Sequence, residues 1–275
     1  MDYAVVGDVM LDKYIFADSW RPCPEYTGFT YHVDRVEYHL GGAANTALSL
    51  SKLANTVLVG GLGQDEHNEL FIDSLGSLVF DEVTIPKTTV KTRIFYKDIM
   101  MLRLDEEQTF DASPLEKYNT PPFDVIILSD YNKGMVSAEL VRQYVKSGRF
   151  VAADPKGKSI EKYKGVDLLT PNLLELETLT GESDYEKALE VALKYVRGLL
   201  VTKSEKGMEY VSKICRHSVH SLVHNPENVS GAGDLALAGF TFHLTSGKTV
   251  VDSLDETNLL LKEAFSKNSY TTLHV

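Results

Sequence analysis

Cysteine is nearly absent: Cys23 and Cys215 are the two in 275 residues, and they stand far apart. That excludes a disulfide framework and makes two free thiols in a reducing compartment the economical reading. Basic residues are also short, 28 Lys plus Arg against 39 Asp plus Glu, for a formal charge of −11. A field of that sign repels nucleic acid and anionic membrane surfaces, and no local basic stripe offsets it, so neither is expected as a partner. No apolar run approaches the roughly 18 residues of a membrane span. The start, Met1-Asp2-Tyr3-Ala4, lacks the basic opening of a secretory leader. A cytoplasmic protein is expected.

What is present is a chain with 43% hydrophobic residues, long enough for one large globular domain. Short apolar runs at 3–6, 56–59, 125–128, 150–153, 167–169 and 199–202 read as strands. Helical patterns lie between them at 43–53, 137–146, 173–180 and 185–196. Continuous Val/Ile/Leu strands separated by helices predict an α/β fold, a doubly wound and mostly parallel sheet covered on both faces. Two stretches, 28–38 and 88–104, instead have period-two character without a helix between strands. They predict a small antiparallel β lid, contributed by about residues 13–40 and 88–104, on a single domain spanning 1–275.

Ligands of open α/β sheets bind at the carboxyl ends of strands, so the turns there hold the candidate sites. Gly61-Leu62-Gly63 lacks the third glycine of a dinucleotide fingerprint, which Glu66 replaces. Ser246-Gly247-Lys248-Thr249 resembles the end of a phosphate loop but follows a helical pattern and reads as a helix C-terminus. His217, His220 and His224 have no matching Cys or carboxylate set and read as surface histidines. The informative turn is Ser230-Gly231-Ala232-Gly233-Asp234, because Leu235, Ala238, Gly239 and Phe242 then recur at helical spacing. Three small residues thus expose amides at the positive end of a helix, which suits an anion. Asp234 beside them is either a helix-start carboxylate favoured by the dipole or a general base next to transferring phosphoryl oxygens.

With that turn in view, the chain resembles the ribokinase-like (PfkB) carbohydrate kinases. Leu40-Gly41-Gly42-Ala43-Ala44-Asn45, Thr170-Pro171-Asn172-Leu173-Leu174-Glu175 and Val201-Thr202-Lys203-Ser204-Glu205-Lys206-Gly207 are similar to that family's other motifs, in the family's order. Within it, the heptose 7-phosphate kinase subgroup is nearest. The stretches that look like that subgroup include Gly7-Asp8-Val9-Met10-Leu11-Asp12, Leu102-Arg103-Leu104-Asp105, Ser129-Asp130-Tyr131-Asn132-Lys133-Gly134 and Asp154-Pro155-Lys156-Gly157. The His-x-Gly-His signature of the nucleotidyltransferase half of bifunctional members does not occur.

The resemblance implies transfer of the ATP γ-phosphoryl group to a sugar hydroxyl, with a heptose 7-phosphate giving the 1,7-bisphosphate. It makes Asp234 the general base and the amides of Gly231, Ala232 and Gly233 the anion hole. Asn172, Glu175, Thr202, Ser204 and Gly207 are implied on the nucleotide side, with Asn172 and Glu175 holding Mg²⁺ through water. On the sugar side it implies Asp8, Asp12, Gly41, Gly42 and Asn45, with Arg103 and Lys156 as candidates for a substrate phosphate. Two departures stand out: Asn228 replaces the family's usual Asp beside a monovalent-cation loop, and residues 258–275 lack the usual Gly/Ala-rich run of the adenine pocket. Cation activation and nucleotide choice are therefore expected to differ. Pairing of lid strands across a two-fold axis would make a homodimer. The rival readings are a kinase of the same family for another sugar, a non-catalytic sugar-phosphate sensor and, on the imperfect Gly61-Leu62-Gly63 turn, an oxidoreductase.

Overall fold

The apolar runs assemble into a sheet because each is too hydrophobic to leave either face in water. A computed structural model describes residues 1–97, 99–110, 113–118, 122–223 and 230–266. The chain opens with β1 (Tyr3–Gly7), β2 (Val9–Pro22), β3 (Phe29–Gly42), α1 (Ala43–Ser51), β4 (Thr56–Gly63), α2 (Asn68–Ser74) and β5 (Val79–Ile85). It continues with β6 (Val90–Tyr96), β7 (Ile99–Glu106), β8 (Val125–Ser129), α3 (Ala138–Lys146), β9 (Phe150–Asp154), β10 (Leu168–Leu169), α4 (Leu173–Thr180) and α5 (Tyr185–Ala192). The last elements are β11 (Gly198–Thr202), β12 (Met208–Ser212), β13 (Arg216–Val219), α6 (Ala232–Thr245) and α7 (Val250–Ser266).

Among the described residues nine strands form the main sheet, in the order β13-β12-β11-β10-β9-β8-β1-β4-β5. From β5 to β11 all pairings are parallel, and β12 and β13 close the edge antiparallel. Alternating side chains feed two cores. Val6, Ile126, Leu128 and Val151 pack with Leu140 of α3, Leu176 of α4 and Leu189 of α5. Val5, Ile127, Leu58 and Leu200 pack on the opposite face with Leu50 of α1 and Phe240 of α6. The decoy turns fall where their weaker readings put them: Gly61 to Gly63 end β4, and Gly247 follows the C-terminus of α6 in a left-handed conformation.

A second sheet, β3-β2-β6-β7, carries the lid. Its two hairpins, β2 with β3 and β6 with β7, are antiparallel, and they join through a parallel β2 with β6 pairing. The lid is rooted where β1 ends, because Val9 pairs with Gly42 and the chain re-enters the core directly as α1. Gly42 makes that corner with φ +60, and a Cβ there would stand 2.3 Å from the Asp8 carbonyl oxygen. The order β8-β1-β4 puts the chain reversal at β1, so the lid, β8 and β9 open onto the crevice where such sheets bind ligands.

Candidate active site

The carboxyl ends of β8, β9 and β11 and the start of α6 surround a cavity of about 900 Å³. Its walls include Tyr131, Asp154, Lys156, Asn172, Thr202, Ser204, Gly207 and Gly231 through Asp234. Gly231 is the cap residue of α6 with φ 83, so the amides of the first turn face the cavity mouth without a side chain in the way. A Cβ on Gly231 would also approach the Asn45 amide nitrogen to 2.7 Å.

Asp234 sits in that first turn, only 6% exposed. Its carboxylate takes three side-chain donors: Asn45 Nδ2 at 2.8 Å, Thr46 Oγ1 at 3.1 Å and the Tyr131 hydroxyl at 3.1 Å. Burial pushes the Asp234 carboxyl up, and the three donors with the Lys156 ammonium draw it back. Burial, Asp234 and Asp154 hold the Tyr131 phenol well above its ordinary pKa, so the phenol is the donor in this pair.

Lys156 lies between two carboxylates, 3.0 Å from Asp154 Oδ2 and 2.5 Å from Glu175 Oε1. Burial opposes its charge, but the two acids outweigh it and raise its pKa above the lysine value. Burial likewise pushes Asp154 up to about 7 while Lys156 pulls the other way. Asn172 caps α4, accepting the Glu175 amide at 2.9 Å, while the Glu175 carboxylate accepts the Asn172 amide at 2.8 Å. This reciprocal box fixes both side chains at the helix start, and a bridge to Thr202 ties them to β11.

Of the residues expected on the nucleotide side, Thr202, Ser204 and Gly207 line the cavity beside Met208, Val223, Ala236, Leu261 and Phe265. Leu261 and Phe265 of α7 supply an apolar part of the wall, and Asn258 accepts the Leu222 amide and donates to the His220 carbonyl. Asn228 and His224 lie outside the described residues.

The sugar-side candidates are divided. Asn45 is brought to Asp234, where its amide holds the carboxylate. Gly41 and Gly42 lie at the lid root, where a Cβ on Gly41 would reach Asp12 Oδ2 at 2.8 Å. Asp12 is paired with Arg93 at 2.7 Å. Asp8 is 2% exposed and accepts the amides of Tyr131, Lys133 and Met135 at 2.7, 3.3 and 3.2 Å, so it shapes the turn that carries Tyr131. Arg103 forks onto Asp105 at 2.7 and 2.8 Å, on the lid and away from the cavity walls. Tyr131 and Thr46 were not marked by any spacing signal; each lies inside or next to a motif but shows its role only once the chain is folded.

Among the described residues no helix is long and apolar enough to cross a membrane, and no three His, Cys, Asp or Glu side chains converge as a metal cluster. A ribokinase-like α/β sheet with a lid, an amide-rich helix start and a buried carboxylate defines the class as carbohydrate-kinase-like. The family comparison agrees: the description "pfkB family carbohydrate kinase" matches residues 2–259, and the chain belongs to that family. It is 35% identical over 281 residues to bifunctional protein HldE of Aeromonas hydrophila, covering 94% of this chain and 58% of the relative. The chain therefore spans somewhat more than half the length of such relatives. Among solved structures, Arabidopsis thaliana ribokinase complexed with ribose and ATP superposes with TM-score 0.75 at 20% identity, covering 97% of this chain and 93% of the other. Phosphofructokinase-2 of Escherichia coli in complex with fructose-6-phosphate gives 0.76 at 15% identity, covering 96% and 93%.

Proposed function

We propose that the protein transfers the γ-phosphoryl group of ATP to a hydroxyl of a phosphorylated sugar, most simply a heptose 7-phosphate to the 1,7-bisphosphate. The observation that carries this reading is Asp234: a buried carboxylate held by three donors at the amide-rich start of α6, lining a cavity of about 900 Å³. The heptose assignment draws on the kinship with HldE proteins.

Asp234 accepts the proton of the attacking hydroxyl, and the amides of Gly231, Ala232 and Gly233 stabilise charge on the phosphoryl oxygens. Lys156 reaches the same region, while Thr202, Ser204 and Gly207 border the nucleotide and the apolar wall of Leu261 and Phe265 suits its base. Mg²⁺ fits here only through water and the nucleotide's phosphates: Asn172 Oδ1 is engaged by its own helix, and Glu175 is shared with Lys156. When bound, the ion neutralises charge on the transferring group. Lid closure excludes water that would otherwise compete for the phosphoryl group. A cytoplasmic location and pairing of two copies through the lid belong to the same reading.

The test is ADP release on a panel of sugar phosphates with ATP and Mg²⁺. Activity should fall about 10²–10⁴-fold in Asp234→Asn, equivalent to about 3–5 kcal/mol of barrier. No turnover of any sugar by the wild type overturns the reading.

A further inference from the structure

The lid face that continues toward Tyr131 carries Lys91, Arg93 and Arg103, and against them Asp12 and Asp105. The register sets them side by side: Lys91 lies opposite Asp12 on β2 and opposite Asp105 on β7, and Arg93 lies opposite Arg103. Two of the three cations are satisfied, Arg93 by Asp12 at 2.7 Å and Arg103 by Asp105. The next two carboxylates along the chain are engaged as well, Glu106 by Lys87 and Glu107 by Lys133. Lys91 is left over. It is 8% exposed, and among the described residues no carboxylate comes within ion-pair distance of it. Its recorded neighbour is the ring of Tyr131, 5.3 Å away. Burial, with Arg103 adding, lowers its pKa, while Asp12, Glu107 and Asp105 pull it up from beyond ion-pair distance.

An ammonium on a largely buried side chain with no ion pair of its own is left free for an incoming anion. The two cations that the sequence offered for a substrate phosphate are engaged elsewhere, Arg103 on Asp105 and Lys156 between Asp154 and Glu175. Tyr131 relates the remaining cation to the base: Lys91 lies against its ring and Asp234 at its hydroxyl. We propose that Lys91 is the specificity-determining residue that receives the phosphate of the sugar phosphate, on the lid and across Tyr131 from Asp234. This rests on the sugar-phosphate reading above and adds the residue that distinguishes a phosphorylated acceptor from a plain sugar.

Two phosphates could meet that ammonium, the sugar's and the nucleotide's, and the experiment separates them. The full chain, Lys91→Met and Lys91→Arg are titrated calorimetrically with heptose 7-phosphate, phosphate-free heptose and a non-hydrolysable ATP analogue with Mg²⁺. In Lys91→Met the Kd for heptose 7-phosphate should rise about 10–100-fold, the loss expected for one charge-assisted contact. Lys91→Arg should recover most of it, and the weakening should be confined to the phosphorylated sugar. Equal loss for heptose and heptose 7-phosphate, loss for the ATP analogue alone, or no loss overturns the proposal; so does failure of the wild type to bind heptose 7-phosphate. If Lys91→Met does not fold, Lys91→Gln takes its place with the same expectations. Lys91-dependent binding without turnover would remove the kinase reading and leave this one standing. Turnover with unchanged binding in Lys91→Met would do the reverse.

Discussion

Asp234 works through its neighbours. Three donors keep the anion in place, yet burial still raises its pKa above the ordinary carboxylate range. The base role proposed for Asp234 requires it to be ionised, so kcat should fall as pH drops through that raised pKa, above the value near 3.9 of a free Asp. Tyr131→Phe removes one donor to the ionised form and keeps the ring. The acid limb of kcat against pH should therefore move to higher pH, with about a tenfold loss at neutral pH. A limb that stays put, or moves down, would strip Tyr131 of its positioning role. Asp234 stood out in the sequence beside its amide-rich turn, but as either a helix-start carboxylate or a base; the three donors gathered on it are visible only in the fold. Tyr131 and Lys91 did not stand out: a single tyrosine and a single lysine carry no spacing, and only the meeting of β6 with the β8 turn gives them meaning.

Elements hold these residues by two devices. One is the capping box at the start of α4, visible in the sequence as Asn172 and Glu175 but equally consistent there with a metal site or a plain helix start. The other is Asp8, at the end of β1, whose carboxylate gathers the amides of Tyr131, Lys133 and Met135. Burial, with Asp130 adding, pushes Asp8 up to about 6 against those amides. The unfolded chain ionises this group near 3.9, so between about pH 4 and 6 the folded state holds the extra proton. Its contribution to stability is full below that window and lost as pH rises through about 6. The difference approaches about 3 kcal/mol. Urea unfolding at several pH values should show this loss for the wild type, whereas Asp8→Asn should be flatter across the window. Identical slopes would mean that Asp8 titrates alike in both states. The inner strands β1, β4, β8, β9 and β11 were readable as unbroken apolar runs. The strand β5 and the helix α2 were not, since exposed polar residues interrupt their patterns.

At the scale of the whole molecule, a net charge of −11 surrounds the site proposed for anionic substrates, so the proposed binding rests on amides and a few placed cations at close range. The lid departs from that polar exterior. Its register aligns Val36, Ile15, Ile94 and Leu102 in one apolar row across all four strands, with Leu104 on the next. Val36, Leu102 and Leu104 are 42%, 49% and 48% exposed, and β7 is exposed along its whole length as the sheet's edge. Apolar rows of this kind in a charged surface mark contacts, and two identical sheets brought face to face would cover both at once. The sequence supported only strand pairing at the lid; the row became visible when the parallel β2 with β6 pairing set the register. The full chain should therefore sediment and scatter light as a dimer, and Leu102→Glu with Leu104→Glu should shift it to monomer. Both changes lie opposite the face that holds Lys91 and Arg103, so heptose 7-phosphate binding should persist in the monomer. A wild type that stays monomeric at concentrations of about 100 μM, well above a micromolar Kd, would leave this face without a second copy as its partner.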